Sequence, residues 1–144
     1  MKKSSVISII ALVAIVVNTL WILCSLGGLP ADLPQHYDLE GNYTSTMAKT
    51  TLLYFPLVSC ALFLAVHFSR ALLFRFRPKA NDARGIRSTY FSIMQLCLAL
   101  IILCSSGVTL TFGRCHLFFF AEPVLLAILI IAVIIGEIKA GKAI

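Results

Sequence analysis

The chain has 144 residues, 60% of them hydrophobic and only 12% charged, with a formal net charge of +6. A water-soluble domain of this size has too much surface for its volume to bury so many apolar side chains, so the composition excludes an ordinary soluble protein. We predict one membrane domain, residues 1–144, whose main partner is the lipid bilayer.

Four apolar runs follow one another along the chain, and each predicts a membrane-spanning helix. Crossing the hydrocarbon takes roughly 20 apolar residues, and a helix satisfies its own backbone there. The alternation expected of a β-barrel is absent from these runs. A cleaved signal peptide is the disfavoured alternative for the first run, which is too long and lacks an A-x-A-like site. The predicted spans are residues 6–27, 50–69, 89–111 and 117–137, the fourth beginning either near Leu117 or at Pro123.

The distribution of positive charge predicts the orientation. Ten of the 12 Lys and Arg residues lie before the first span, between the second and third, or after the fourth. Cationic residues favour the cytoplasmic side, so we expect a basic cytoplasmic loop at residues 70–88 and cytoplasmic N- and C-termini. The charge therefore gives no reason to expect nucleic acid as a partner, and docking of a cytoplasmic protein on this loop is the alternative.

The predicted fold class is all-α: a polytopic membrane protein with four transmembrane helices and a structured extracytoplasmic loop between helices 1 and 2. This outer loop, residues 28–49, is rich in turn-forming residues. Pro30 and Pro34 fix the local backbone and favour extended residues before them. Gly41-Asn42 indicates a turn. The loop is therefore expected to be stiff and largely non-helical.

Two local signals mark the start of the second helix. Thr44, Ser45 or Thr46 is a candidate N-cap, because a hydroxyl accepts a hydrogen bond from a free helix amide. Pro56 lies about two turns after the expected start, where it would remove a backbone hydrogen bond and bend the helix.

Two amides, Asn18 and Gln95, fall inside the predicted spans. Such residues commonly join helices by hydrogen bonds, and we interpret both in this way. By depth, Asn18 is expected near Ser59 and Gln95 near His67. The alternative is that the two amides line a permeation path.

The outer loop resembles a bacterial membrane domain of unknown function that also forms the N-terminal part of SdpI-type immunity proteins. Its motif joins a Leu-Pro pair, a second proline, a histidine, an aromatic residue, Asn or Asp, a glycine and a lysine at fixed offsets. The chain departs from the family's pattern at Thr44, Thr46 and Ala48, where the family often has Asp, an aromatic residue, and Ser or Gly. The matching residues here are Leu29, Pro30, Pro34, His36, Tyr37, Asp38, Gly41 and Lys49.

The polar side chains of the outer loop leave two chemical interpretations. His36, Asp38 and Glu40 are residue types that hold metals or cationic ligands, although zinc or calcium spacing is absent. The favoured interpretation is structural, with His36 and Asp38 bonded to turn amides and Lys49 extended to the headgroups or paired with an acid. Hydrolytic and nucleotide-binding motifs are also absent, so we expect neither an enzyme, nor a cofactor, nor a bound metal.

The resemblance implies a non-enzymatic protein of the bacterial cytoplasmic membrane that is receptor-like, immunity-like or part of a signalling system. Its outer loop would recognise an extracytoplasmic peptide, a toxin or a partner membrane protein, and a homo-oligomer is compatible with the sequence. The alternatives are an accessory subunit of a membrane complex and a small oligomeric transporter or channel subunit. In the transporter the polar path would be lined by Asn18, Gln95, Ser105 and Ser106.

Overall fold

A computed structural model of the chain describes residues 3–37, 42–76 and 81–142. Four α-helices account for most of these residues, and a two-stranded sheet separates the first two helices. Short 3₁₀ turns, Leu26–Gly28 and Lys49–Leu53, flank the sheet. In chain order the elements are α1 (Lys3–Ser25), β1 (Asp32–Tyr37), β2 (Tyr43–Ala48), α2 (Tyr54–Phe76), α3 (Asn81–Leu110) and α4 (His116–Lys142).

All four helices are long and apolar enough to cross a bilayer, as expected of a multi-pass membrane protein. Their ends differ from the predicted spans. The third helix already begins at Asn81, inside the segment expected to be a loop, and the second continues to Phe76. Hydropathy marks only the part of a helix within hydrocarbon, whereas the helix continues into the polar headgroup region. The fourth helix begins at His116, so Pro123 lies within it rather than at its first turn.

The third helix is the centre of the bundle and packs against each of the other three. Its buried face carries small and polar side chains, which let neighbouring backbones approach closely. At one contact, Ala99 is buried against Ala11 and Ile15 of α1, with Phe63 of α2 packed at the edge. The core is therefore a shared surface on α3 rather than a space enclosed equally by four helices.

The fourth helix lies antiparallel to α3 along a seam of close contacts. A Cβ added to Gly107 would lie 2.8 Å from the Phe118 ring, and one added to Gly136 would lie 2.7 Å from Tyr90. Larger residues at either glycine would therefore push the helices apart. The Phe118 ring also approaches Trp21 of α1, with ring centroids 5.7 Å apart.

The outward surfaces of the helices are apolar. Many large aliphatic side chains of α1 and α4 are about half exposed on the isolated chain. Lipid tails or a partner helix would cover such surfaces in a membrane. Representative residues are Ile9, Val13, Leu20, Ile130, Ile131 and Ile134.

The short sheet and the start of α2 correct three sequence-based expectations. The all-α class omitted it, because part of the outer loop is an antiparallel β-hairpin formed by β1 and β2. The residues expected to cap the second helix, Thr44, Ser45 and Thr46, lie within β2 instead. Pro56 is the third residue of α2. Its missing N–H therefore falls in the first turn, where no intrahelical acceptor exists, and a bend is not required.

Candidate recognition site at the hairpin

The two strands pair with two irregularities that twist the hairpin. Between Pro34 and His36 the first strand has an extra residue, Gln35, and the second strand has one at Thr44. Proline cannot donate to a ladder, so a position beside a bulge is one that Pro34 can occupy. The paired residues are Asp32 with Ala48, Leu33 with Met47, Pro34 with Thr46, His36 with Ser45, and Tyr37 with Tyr43.

Lys49 closes the base of the hairpin. Its backbone N–H donates to the Ala31 carbonyl oxygen over 2.8 Å, and its Nζ lies 3.4 Å from the Leu29 carbonyl oxygen. The side chain thus bonds a main-chain carbonyl, whereas the sequence suggested a carboxylate or the headgroups. Lys49 therefore joins the two ends of the outer loop.

Apolar side chains fix the hairpin to the helices. Ile22 of α1, Leu33 of β1 and Leu52 of the second 3₁₀ turn are each 0% exposed and form one cluster. Fully burying a side chain of this size contributes about 1.5–3 kcal/mol. The hairpin is thus packed on the ends of the helices rather than suspended above them. The half-buried residues around the cluster are Leu26, Leu29, Met47, Phe55 and Leu110.

His36 is exposed and makes a cross-strand contact. Its Nδ1 lies 2.7 Å from the Ser45 hydroxyl oxygen, and the Thr44 hydroxyl donates to the His36 carbonyl oxygen over 3.4 Å. The sequence suggested instead that His36 bonds a turn amide. The other two residues of the predicted polar group, Asp38 and Glu40, lie outside the described residues.

The rest of the predicted motif is spread over the hairpin. Pro30 is exposed, Pro34 is buried, and Leu29 packs beside the apolar cluster. Tyr37 ends the first strand, while Gly41 lies outside the described residues.

A cavity of about 300 Å³, open to the outside of the bundle, lies between the hairpin and the helices. The hairpin contributes Gln35 and Met47, and the rest of the wall comes from the start of the second span and the end of the third. This volume is at the lower limit of typical small-molecule pockets, and it is large enough for one or two apolar side chains. The helical part of the wall consists of Thr51, Tyr54, Phe55, Val58, Ile102 and Thr109.

The motif of the outer loop does not include these wall residues. Only the spacing of Thr51, Phe55 and Val58, which places them on one helical face, was visible in the sequence. Gln35 and Met47 lie on different strands and both line the cavity, so their proximity depends on strand pairing.

The two intramembrane amides have different surroundings. Gln95 accepts a hydrogen bond from the Ser8 hydroxyl over 2.8 Å and donates from Nε2 to the Phe63 carbonyl oxygen over 3.2 Å. The Ser8 hydroxyl also lies 3.0 Å from that of Ser92. Gln95 therefore joins α3 to both α1 and α2, through partners other than the predicted His67, which is exposed.

Asn18 is only 1% exposed, yet neither of its side-chain polar atoms has a partner among the described residues. The buried Ser59 hydroxyl is likewise unpartnered there, so the predicted bond between these two side chains does not form. Buried polar groups without partners carry a desolvation penalty of about 1–3 kcal/mol.

No protein-family model, curated protein or solved structure matches this chain.

Proposed function

We propose that this chain is a non-enzymatic recognition protein of the bacterial cytoplasmic membrane, immunity-like or receptor-like in action. Its hairpin faces the outside and receives an apolar side chain of an extracytoplasmic peptide, toxin or partner membrane protein. The supporting observation is the cavity of about 300 Å³ whose wall is shared by the hairpin and two helices. A ligand there contacts both the outer surface and the bundle, so its binding can alter helix packing.

The chemistry of the wall supports an apolar ligand group. The cavity wall has apolar surface from Met47, Phe55, Val58 and Ile102, while Gln35 of the hairpin offers an exposed amide. Recognition pockets commonly combine an apolar lining with a few polar groups that fix orientation. The resemblance of the outer loop to SdpI-type immunity proteins adds support for a peptide toxin as the ligand.

The proposed orientation follows from charge and is tested by thiol labelling. In a cysteine-free background, Thr44→Cys places a thiol on the exposed hairpin, and Lys139→Cys places one near the end of α4. We expect a membrane-impermeant maleimide to label Thr44→Cys in intact cells and Lys139→Cys only after permeabilisation. The reverse pattern would place the hairpin in the cytoplasm and refute the proposal.

The recognition role is tested by filling the cavity. A strain lacking the gene should become sensitive to conditioned medium from its parent, and the wild-type gene should restore growth. Val58→Trp fills the cavity and should fail to restore it, because the ligand side chain no longer fits. Leu64→Trp, on an exposed position of the same helix, is the matched control and should restore growth. Both variants should reach wild-type protein levels.

Full protection by Val58→Trp at normal protein level would contradict recognition through this cavity. Loss of protection by both variants would assign the effect to α2 packing in general.

One specific observation favours the transporter alternative. Glu122 is half-buried within α4 and accepts a hydrogen bond from Ser105 over 2.9 Å, and carboxylates within membrane spans commonly mark ion pathways. Flux through the purified chain in liposomes that is abolished by Glu122→Gln would favour a transporter or channel subunit. The accessory-subunit alternative predicts co-purification with a larger complex after mild solubilisation.

A further inference from the structure

A second cavity, of about 70 Å³, lies at the other end of the bundle, between α3 and α4. Two charged side chains, Arg87 and Glu137, form its mouth, and Tyr90, Met94 and Val133 form its apolar wall. Its volume is several times the roughly 10–15 Å³ needed to hold one water molecule, so a small polar group fits. The cavity is far from the hairpin and has no role in the recognition proposed above.

Arg87 is buried, and the described residues leave part of its guanidinium without a hydrogen-bond partner. It is 8% exposed, and its Nε has no hydrogen-bond acceptor among the described residues. Its Nη2 lies 3.6 Å from Glu137 Oε2, longer than the 2.7–2.9 Å typical of a charge-assisted hydrogen bond. A buried cation with donors left over carries a large desolvation cost, so an additional acceptor at this position is strongly favoured.

Glu137 has the opposite exposure. Its side chain is 65% exposed, so much of the carboxylate remains accessible beside the buried guanidinium. At the cavity, the Arg87 cation is therefore buried and the Glu137 anion beside it is exposed. A ligand that carries only negative charge would satisfy Arg87 and be repelled by Glu137.

The depth of the cavity matches the headgroup region. Arg87 is the second residue of the apolar segment Ile86–Leu110, and Glu137 lies near the end of the segment His116–Lys139. Tyr90 and Met94 follow Arg87 at helical spacing, so an apolar surface runs from the guanidinium toward the hydrocarbon. In a bilayer, lipid phosphates lie at the depth expected for Arg87, and acyl chains lie at the depth expected for Tyr90 and Met94.

We propose that this cavity binds a phospholipid with a phosphoethanolamine headgroup. The phosphate oxygens accept hydrogen bonds from Arg87, the ammonium group lies against Glu137, and an acyl chain follows Tyr90, Met94 and Val133. A headgroup with both charges satisfies both side chains, whereas phosphatidylglycerol lacks the cation. Inorganic phosphate shares only the contact with Arg87.

The test is lipid retention by the purified, delipidated full chain in detergent, measured by native mass spectrometry. Phosphatidylethanolamine and phosphatidylglycerol with the same acyl chains are added in equal amounts. We expect phosphatidylethanolamine to be retained about two- to fivefold more, the effect of one partly exposed ion pair. Glu137→Gln should bring the ratio close to one, and Arg87→Gln should reduce retention of both lipids.

Lys139→Gln is the matched control, since it removes one charge from an exposed position of the same helix, two residues from Glu137, and does not line the cavity. It should keep the wild-type ratio. Val133→Phe, which fills the apolar wall at a 44% exposed position, should lower retention even if Arg87→Gln fails to fold.

Three results would overturn the proposal. One is equal retention of the two lipids by the wild-type chain. Another is a wild-type lipid ratio in Glu137→Gln together with wild-type retention in Val133→Phe. The third is displacement of the bound lipid by millimolar inorganic phosphate, which would identify free phosphate as the ligand.

Discussion

Gln95 and Asn18 are both buried amides on membrane-spanning helices, but their surroundings differ. The Gln95 layer, which comprises Ser8, Phe63, Ser92 and Gln95, connects three helices through side-chain hydrogen bonds. The Asn18 layer, which comprises Asn18 and Ser59, contains polar atoms without partners among the described residues. Burial of an amide in a membrane bundle is therefore not enough to make it a link between helices.

The packing register accounts for the missing bond at the side-chain oxygen of Asn18. Ser8 on α1 faces Gln95 on α3, and Asn18 lies ten residues further along the parallel course of α1, about 15 Å away at 1.5 Å per residue. A similar advance along α3 reaches the turn containing Ser106. The hydroxyl of Ser106 donates to the Ile102 carbonyl oxygen of its own helix over 2.7 Å, so it has no hydrogen left to donate to the side-chain oxygen of Asn18.

The largest effect is expected from breaking the Gln95 layer. Gln95→Leu removes both bonds of the amide, and bonds between helices in membrane bundles contribute about 0.6–1.7 kcal/mol each. We expect the free energy of unfolding to fall by about 1–3 kcal/mol on this basis. Equilibrium unfolding in mixed micelles titrated with sodium dodecyl sulfate measures it. An unchanged free energy would show that the layer contributes nothing to stability.

The next effect concerns the coupling within that layer. Ser8 and Gln95 share a 2.8 Å hydrogen bond, so Ser8→Ala and Gln95→Leu should not be additive. We expect a coupling free energy of about 0.5–1.5 kcal/mol from a double-mutant cycle, as is usual for residues in one network. Ser5→Ala is a suitable control on the same helix, because Ser5 is exposed. A coupling equal to that of the control would contradict the bond.

The Asn18 layer should respond in the opposite direction. Asn18→Leu is nearly isosteric and replaces an unpartnered buried amide by an apolar side chain. Removing an unsatisfied group relieves its desolvation penalty, so we expect the free energy of unfolding to stay constant or rise by about 1 kcal/mol. The same titration measures it. A fall comparable to that of Gln95→Leu would reveal a partner for the amide, such as a bound water molecule.

Apolar runs in the sequence predict the four helices well, because hydrocarbon imposes the same requirement on every span. The hairpin was harder to predict from the sequence. Pro34 and Gly41 indicate a stiff, turning segment, but the pairing of His36 with Ser45 depends on two bulges that no local pattern displays. The cavity could not be predicted from the sequence for the same reason, because its wall combines Met47 and Ile102, which are distant in the chain.

Arg87 shows a second limit of sequence interpretation. In the sequence it is one of several cations that predict orientation, and nothing distinguishes it from Arg84. The structure buries it against α4, because α3 already begins at Asn81 and α4 continues past Gly136 to Lys142. Composition predicts the side of the membrane on which a charge lies, whereas helix packing determines whether that charge is solvated.

The smallest effect is expected between the two members of the Asn18 layer. Asn18 and Ser59 are not bonded to each other, so Asn18→Leu and Ser59→Ala should add to within about 0.5 kcal/mol in a double-mutant cycle. A larger coupling would mean that a shared water molecule bridges them, since such a bridge is lost on the first substitution and leaves nothing for the second to remove. The cycle thus distinguishes two independent unsatisfied groups from one hydrated site. The Ser8–Gln95 cycle provides its internal standard, because a direct bond is present there.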